Sequence, residues 1–150
     1  KVLGNGTQDS ILPLMATSAV IGFGGVVVQT AGFATFTEAV VGADVPPLMS
    51  AFAAISTVSG ITGSASGGLQ IFMATLAEPY LALGIDPQEL HRIVAMASGG
   101  FDSLPHCGAV IAMLTITQLT HKQAYKDVGI VTVVIPVIAT LLTIGLAMVT

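Results

Sequence analysis

Four predominantly apolar segments, separated by short polar stretches, follow one another along the chain. The first covers residues 10–33, and a helix of roughly 24 residues reaches about 36 Å. Because the hydrocarbon core of a bilayer is about 30 Å thick, this segment predicts a tilted transmembrane helix. The last segment, at about residues 128–149, predicts another full span, in which Pro136 produces a kink.

The second segment, at about residues 46–83, divides into two apolar limbs. The limbs, residues 48–58 and 69–83, hold only about 11 and 15 residues, and each is too short to cross a bilayer alone. Between them, residues 59–68 are uncharged and rich in Gly, Ser and Thr. Non-helical backbone at membrane depth persists only where it is buried in protein or lines a wet cavity. The pattern therefore predicts a re-entrant hairpin with a functional tip, and an ordinary helical hairpin with a Gly-Ser turn is the alternative.

The third segment, at about residues 87–119, begins with Asp86 and Pro87, a favourable helix start. Residues 99–108 contain three glycines, a proline and an acid, a combination that does not sustain a helix. A helical pattern resumes at Ala109. The segment thus predicts one spanning helix broken near its middle, and residues 120–127 are predicted to form a loop before the last span.

The composition indicates that these segments lie in a membrane. Hydrophobic residues make up 53% of the chain, charged residues 8%, and the mean hydropathy is +0.91, whereas about a quarter of a soluble domain is charged. The apolar residues follow no short repeat, which argues against a fibrous or low-complexity chain. The predicted fold class is an all-α membrane protein in which transmembrane helices accompany a re-entrant helical hairpin and a broken helix.

Charge and motif content exclude several other classes. A net charge of −4 provides no basic surface for nucleic acid. The single cysteine, Cys107, excludes an internal disulfide framework and a Cys-based zinc cluster. No catalytic, cofactor-binding or metal-ligand spacing is present, so the sequence predicts neither an enzyme nor a cofactor.

The charged residues also predict an orientation, since a hairpin returns to the side from which it started. Lys1, Lys122 and Lys126 then share one side, which the positive-inside bias makes cytoplasmic. His121, Lys122 and Lys126 are interpreted as loop charges that set the topology. The residues predicted on the opposite side are Glu38, Asp44, Asp86, Glu89 and Arg92.

The hairpin tip and the helix break carry the candidate binding chemistry. Half-helix N-termini present free N–H groups and a positive dipole to anions in secondary transporters. Helices that begin near Leu69 and Ala109 would supply two such ends, and a carboxylate is the expected substrate. The candidate substrate-binding residues are Thr62, Gly63, Ser64, Ser66, Gly67, Ser103 and His106.

Asp102 is the one acid predicted to lie within the membrane, where an ionisable group is a functional hypothesis by default. It is the candidate proton-coupling residue, and His106 is a second candidate proton carrier. The alternatives are that Asp102 caps the helix that restarts after Pro105 and that His106 donates a hydrogen bond to a nearby carbonyl. Cys107 is expected to pack as a small buried thiol.

Three stretches carry a resemblance to a known family: SGITGSASGGLQI, ASGGFDSLPHCGAVIAML and LTHKQAYKD. They resemble the C-terminal third of the gluconate permease family, and within it the D-β-hydroxybutyrate permease-like branch. The resemblance extends roughly from Leu12 to Val149 and is most specific in the FDSLPH-x-GAV stretch. Cys107 stands where the family pattern has Asn, so a polar contact from that position is not carried over.

The resemblance implies a multi-pass, proton-coupled symporter of small hydroxy or sugar-acid carboxylates in the bacterial inner membrane. It also implies one half of an inverted-repeat fold, with the opposite half of the site in an N-terminal remainder of the protein, and a homodimer in the bilayer. Sodium coupling stays open, since hydroxyls and one acid do not fix the coupling ion. An ion channel and a non-transporting membrane scaffold are the alternatives from other functional classes.

Overall fold

The computed structural model describes residues 22–149 and, before them, Thr7, Ile11, Leu14, Met15, Ser18 and Ala19. The helices are α1 (Ala31–Val41), α2 (Pro47–Thr62), α3 (Ala65–Thr75), α4 (Ala77–Ala82), α5 (Pro87–Phe101), α6 (Gly108–Thr117), α7 (His121–Gly129) and α8 (Ile135–Ala147), and a π-helical segment (Ile130–Val134) joins the last two. Residues 22–27 are also helical. These described residues form no strand, which confirms the predicted all-α class for this part of the chain.

The first predicted span is only partly described, and its described end differs from the prediction. The helix at residues 22–27 ends in a turn at residues 28–30, and α1 begins at Ala31 instead of continuing the same helix. Thr30 causes this restart, because its hydroxyl accepts a hydrogen bond from the Phe33 amide at 3.2 Å and caps α1. Glu38, one of the acids predicted on the side opposite the lysines, lies within α1.

Helices α2 and α3 form a hairpin whose turn is much shorter than the predicted tip. The expected non-helical stretch at residues 59–68 is helical except at Gly63 and Ser64, which we call the hairpin turn. Close packing between α2 and α3 explains why a glycine, Gly68, lies inside α3. A Cβ atom at Gly68 would lie 2.9 Å from Ser59 Cα and would also clash with Ser59 Oγ.

The hairpin packs against α5 around the main core. From α2, Ala51, Ala54 and Ile55 are fully buried, and the two small alanines let the helices approach closely. The stacked rings of Phe72 and Tyr80, with centroids 5.6 Å apart, close one side of this core. The α5 residues buried in it are Leu90, Val94 and Ala97.

The third segment contains two helices, as predicted, but the interruption is narrower. Helix α5 continues through Gly99 and Gly100 to Phe101, so only residues 102–107, which we call the break, separate it from α6. Helix packing also explains why Gly100 lies inside α5 instead of in the interruption. A Cβ atom at Gly100 would lie 3.2 Å from Val137 Cγ2, so the glycine allows α5 and α8 to approach closely.

The last segment begins earlier than predicted. The predicted loop at residues 120–127 is wrong from His121 onward, because Thr120 and Gln123 form a capping box that starts α7. Together α7, the π-helical segment and α8 make a 27-residue helical stretch, His121–Ala147, that is long and apolar enough to cross a membrane. The π-helical segment ends two residues before Pro136, whose nitrogen has no hydrogen to donate. The kink at Pro136 stays a prediction.

Candidate functional site

The hairpin turn is stabilised by its own side chains. Gly63 ends α2 in the left-handed conformation, with φ at 60°. Ser64 Oγ accepts a hydrogen bond from the Gly67 amide at 3.1 Å and so caps α3. The Thr62 hydroxyl donates to the Val58 carbonyl at 2.9 Å, and Ser66 Oγ lies 3.2 Å from Ser64 Oγ. The hydroxyls of Thr62 and Ser64 therefore already serve the backbone of the turn.

The break lies directly against this turn. A Cβ atom at Gly63 would be 3.4 Å from Cys107 Cα, so the two backbones are in contact. His106 Nε2 donates to the Gly60 carbonyl at 2.8 Å, and Cys107 Sγ donates to the Gly63 carbonyl at 2.9 Å. Both acceptors belong to the C-terminal end of α2, whose carbonyls lack partners within the helix. Two consecutive residues of the break thus bind the hairpin across more than forty positions of sequence.

Two helix N-termini meet at this contact. Helix α3 begins at Ala65, next to the turn, and α6 begins at Gly108 with Cys107 in its N-cap position. Cys107 makes no side-chain cap. The first N–H groups of a helix have no intrahelical acceptor, and they sit at the positive end of the helix dipole. Together the two ends form an arrangement that can hold an anion such as a carboxylate.

Asp102 and Ser103 lie at the other end of the break. Asp102 is half-buried at the C-cap of α5, and Ser103 Oγ donates to its Oδ1 atom at 2.9 Å. The alternative in which Asp102 caps α6 is wrong, because Cys107 holds that position. The alternative hydrogen bond from His106 to a carbonyl is present, with Gly60 as the acceptor. Substrate binding by His106 and Ser103 and proton coupling by Asp102 stay predictions.

Two side chains of α7 reach the break, and sequence reasoning missed both. His121 Nε2 donates to the Pro105 carbonyl at 2.9 Å, and the Tyr125 hydroxyl donates to the Ser103 carbonyl at 3.0 Å. His121, interpreted as a loop charge, therefore has a structural contact. The capping-box pattern of Thr120 and Gln123 was the signal that would have placed both residues on one helix face, four positions apart.

The opposite side of the turn borders an apolar cavity of about 260 Å³. Its two threonines present little polarity, because Thr30 and Thr62 donate their hydroxyls to Val27 and Val58 in their own segments. The other lining residues are Val27, Gly32, Phe33, Phe36, Val58, Ile61 and Ile71. This cavity therefore offers little chemistry for binding an anion.

Metal-binding chemistry is not apparent in the described part of the chain. No group of three His, Cys, Asp or Glu side chains among those residues could hold a metal ion. The predicted site residues at the turn and at the break are near one another in the fold.

Most of this chain is similar to part of a curated transporter. Over 136 residues it is 40% identical to the protein named "Uncharacterized transporter YxjC" of Bacillus subtilis (strain 168). The alignment covers 88% of this chain and 29% of that relative, so the chain spans less than a third of the relative's length. No protein-family model matches the chain, and no solved structure matches it. The relative's name specifies transport but no substrate, so the gluconate permease resemblance rests on the sequence stretches alone.

Proposed function

We propose that this chain is the C-terminal part of a proton-coupled symporter that carries a small organic carboxylate, a hydroxy or sugar acid such as gluconate or 3-hydroxybutyrate. The observation that carries the proposal is the meeting of the α3 and α6 N-termini where Gly63 contacts Cys107. Paired half-helix N-termini are how secondary transporters bind anionic groups. The similarity to a protein named as a transporter supports the same conclusion.

In this proposal the substrate carboxylate binds the free amides at the start of α3 and α6. Ser66 is exposed in the first turn of α3, where its hydroxyl can bind a carboxylate or a substrate hydroxyl. Gly63 lets the substrate approach the backbone, and Gly67 contributes the amide that Ser64 binds in capping α3. Thr62, Ser64 and His106 join the substrate-binding set by fixing the backbone through the hydrogen bonds they already make. Ser103 completes the set and donates to the Asp102 side chain.

Asp102 supplies the coupling in this proposal. An ionised Asp102 repels a carboxylate bound at the opposite end of the break, because like charges disfavour each other in a low-dielectric site. Protonation removes that charge, so the proton and the carboxylate bind best together. Ser103 donates to Oδ1, which leaves Oδ2 as the oxygen that takes the proton.

The membrane arrangement is part of the proposal. Helix α2 has 16 residues and α3 has 11, so they reach only about 24 Å and 17 Å. Neither crosses a hydrocarbon core of about 30 Å, which supports a re-entrant hairpin. The protein is then a multi-pass protein of the bacterial inner membrane and a homodimer, and the remainder of the transporter supplies the opposite half of the site.

Substrate accumulation driven by a pH gradient tests the coupling assignment. In proteoliposomes that contain the full-length protein, Asp102→Asn should abolish uphill uptake of labelled gluconate or 3-hydroxybutyrate while still allowing downhill exchange. Asp44→Asn, at an exposed carboxylate outside the helices, is the matched control and should leave uptake unchanged. Undiminished uphill uptake by Asp102→Asn would contradict the assignment. Dependence on a sodium gradient instead of a pH gradient would favour sodium coupling, and currents far above carrier rates would indicate a channel.

A further inference from the structure

The break is held from one side by a pair of side chains that the proposed function does not use. We propose that His121 and Tyr125 are positioning residues, which hold the break so that the α6 N-terminus opens beside the hairpin turn. His121 reaches the Pro105 carbonyl and Tyr125 reaches the Ser103 carbonyl. The inference rests on the proposed function for the identity of the ligand, but its geometric part stands on these contacts alone.

The carbonyls of three consecutive residues of the break have defined partners. The Ser103 carbonyl accepts from Tyr125, the Leu104 carbonyl accepts from the Cys107 amide at 2.8 Å, and the Pro105 carbonyl accepts from His121. Two of these three donors come from α7. A loop of six residues has few internal means of fixing its conformation, since its flanking helices satisfy only their own backbone groups. The path of the break is therefore set largely by α7.

The residues that follow make the contact with the hairpin. His106 and Cys107 donate to carbonyls at the end of α2, directly after the residues that α7 holds. Cys107 also packs with Val110 and Leu114 against Tyr125 and its neighbours on α7. A series of contacts thus runs from α7 through the break to the hairpin turn. Releasing the contact between α7 and the break loosens the contact between the break and the hairpin, and this separates the N-termini of α3 and α6.

Cys107 provides a direct measurement of this effect. It is 4% exposed, so its thiol reacts only when the break moves away from α7 or from the hairpin. The rate at which N-ethylmaleimide labels Cys107 in the full-length protein in native membranes, read from the Cys107 peptide by mass spectrometry, reports that opening. Reading one peptide separates Cys107 from any cysteine elsewhere in the protein.

Conservative variants isolate the two hydrogen bonds. His121→Phe and Tyr125→Phe retain aromatic rings but remove the donors, and each should raise the labelling rate about fivefold, the effect of losing one hydrogen bond. The double variant should exceed either single variant. His121→Gln, whose amide can still donate from the same position, should restore slow labelling. His91→Phe, at an exposed α5 residue, and Tyr80→Phe, at a buried tyrosine away from the break, are the matched controls. Labelling within twofold of wild type in the double variant would overturn the proposal.

Uptake kinetics separate positioning from a purely structural role. With labelled 3-hydroxybutyrate, or gluconate if that is the acid carried, Tyr125→Phe should raise the half-saturation concentration severalfold, with the amount of protein in the membrane unchanged. The His121→Gln variant should retain the wild-type value. Faster labelling with an unchanged half-saturation concentration would overturn the positioning role. If the wild-type protein carries neither acid, the proposed substrate class fails, and the labelling rates still decide whether α7 holds the break.

Discussion

The hairpin turn and the break are both interruptions between helices, but they are stabilised in different ways. At the turn, Gly63 ends one helix and Ser64 caps the next, so two adjacent residues supply what both helix ends need. At the break, Cys107 occupies the N-cap position of α6 without a side-chain cap. The conformation of the break depends instead on side chains of α7 and on carbonyls of the hairpin. The turn is encoded locally, and the break is encoded by tertiary contacts.

Under the proposed function, this difference implies that the two halves of the site behave differently. A locally encoded turn keeps its shape while the rest of the protein moves, whereas an interruption held by distant side chains changes shape when those contacts change. In a transporter that must release its substrate, the hairpin turn would then act as the fixed half of the site and the break as the adjustable half. Variants that damage the two interruptions separately can test this assignment.

The largest loss of stability is expected from a substitution where the two limbs of the hairpin touch. Gly68→Ala would place a Cβ atom 2.9 Å from Ser59 Cα, a backbone atom that cannot rotate away. Overpacking of this kind costs about 1–3 kcal/mol, and here we expect the upper end of that range. The thermal stability of the full-length protein in detergent should fall accordingly. Gly99→Ala, on a helix with nothing within 4 Å, is the control and should be neutral or slightly stabilising.

Removing the opposing side chain should partly rescue the hairpin. Ser59→Gly combined with Gly68→Ala relieves the clash with Ser59 Oγ and Cβ, although the contact with Cα remains. The Ser59 hydroxyl is buried and has no hydrogen-bond partner within the described residues, so the rescue sacrifices no hydrogen bond there. Equal stability of the single and double variants would mean that the Ser59 side chain does not contribute to the cost of Gly68→Ala.

The next largest effect on stability is expected at Gly63, which can be compared with Gly84 because both glycines have a left-handed backbone conformation. Gly63 and Gly84 have φ of 60° and 87°, but Gly63 faces Cys107 and His106, whereas nothing lies within 4 Å of Gly84. Alanine at either position should cost about 1 kcal/mol through backbone strain alone. Asparagine tolerates this conformation, so Gly84→Asn should be nearly neutral, while Gly63→Asn adds atoms where the break lies and should cost about 1–2 kcal/mol.

The asparagine pair also tests the link between the turn and the break. Gly63→Asn should speed N-ethylmaleimide labelling of Cys107, because the larger side chain pushes the break away, and Gly84→Asn should not. Melting temperatures and labelling rates measured on the same samples check both expectations. Similar behaviour of the two asparagine variants would show that the turn and the break are not in contact in the membrane.

The sequence predicted the helical class and the two interruptions because those features are local. Proline, glycine and hydroxyl residues mark helix ends through their own conformations, and these signals located the hairpin and the break. The exact bounds were wrong by several residues because packing overrides local preference. Gly68 lies within α3 and Gly100 within α5, since helices approach closely there and glycine is the residue that fits, whereas Gly99 is helical with nothing within 4 Å.

Long-range contacts were not predictable in the same way. Nothing local to Ser103 or Pro105 indicates that Tyr125 and His121 bind their carbonyls, because that requires the path of α7. Missing the Thr120 capping box turned the start of that helix into a loop and hid both contacts. The sequence therefore located the candidate site more reliably than it identified the side chains that hold the site together.

The smallest effect concerns the cap of α3, and it separates stability from binding. Ser64→Ala removes the hydroxyl that accepts from the Gly67 amide and should lower stability by about 1 kcal/mol. Ser66→Ala, which removes a neighbouring exposed hydroxyl, is the control and should have little effect on stability. Ser64→Asp restores a good cap, so the melting temperature should recover. Its carboxylate would also occupy the positive end of α3, so it should weaken carboxylate uptake although the fold is intact. Recovery of both stability and uptake would show that the substrate does not bind at this helix end.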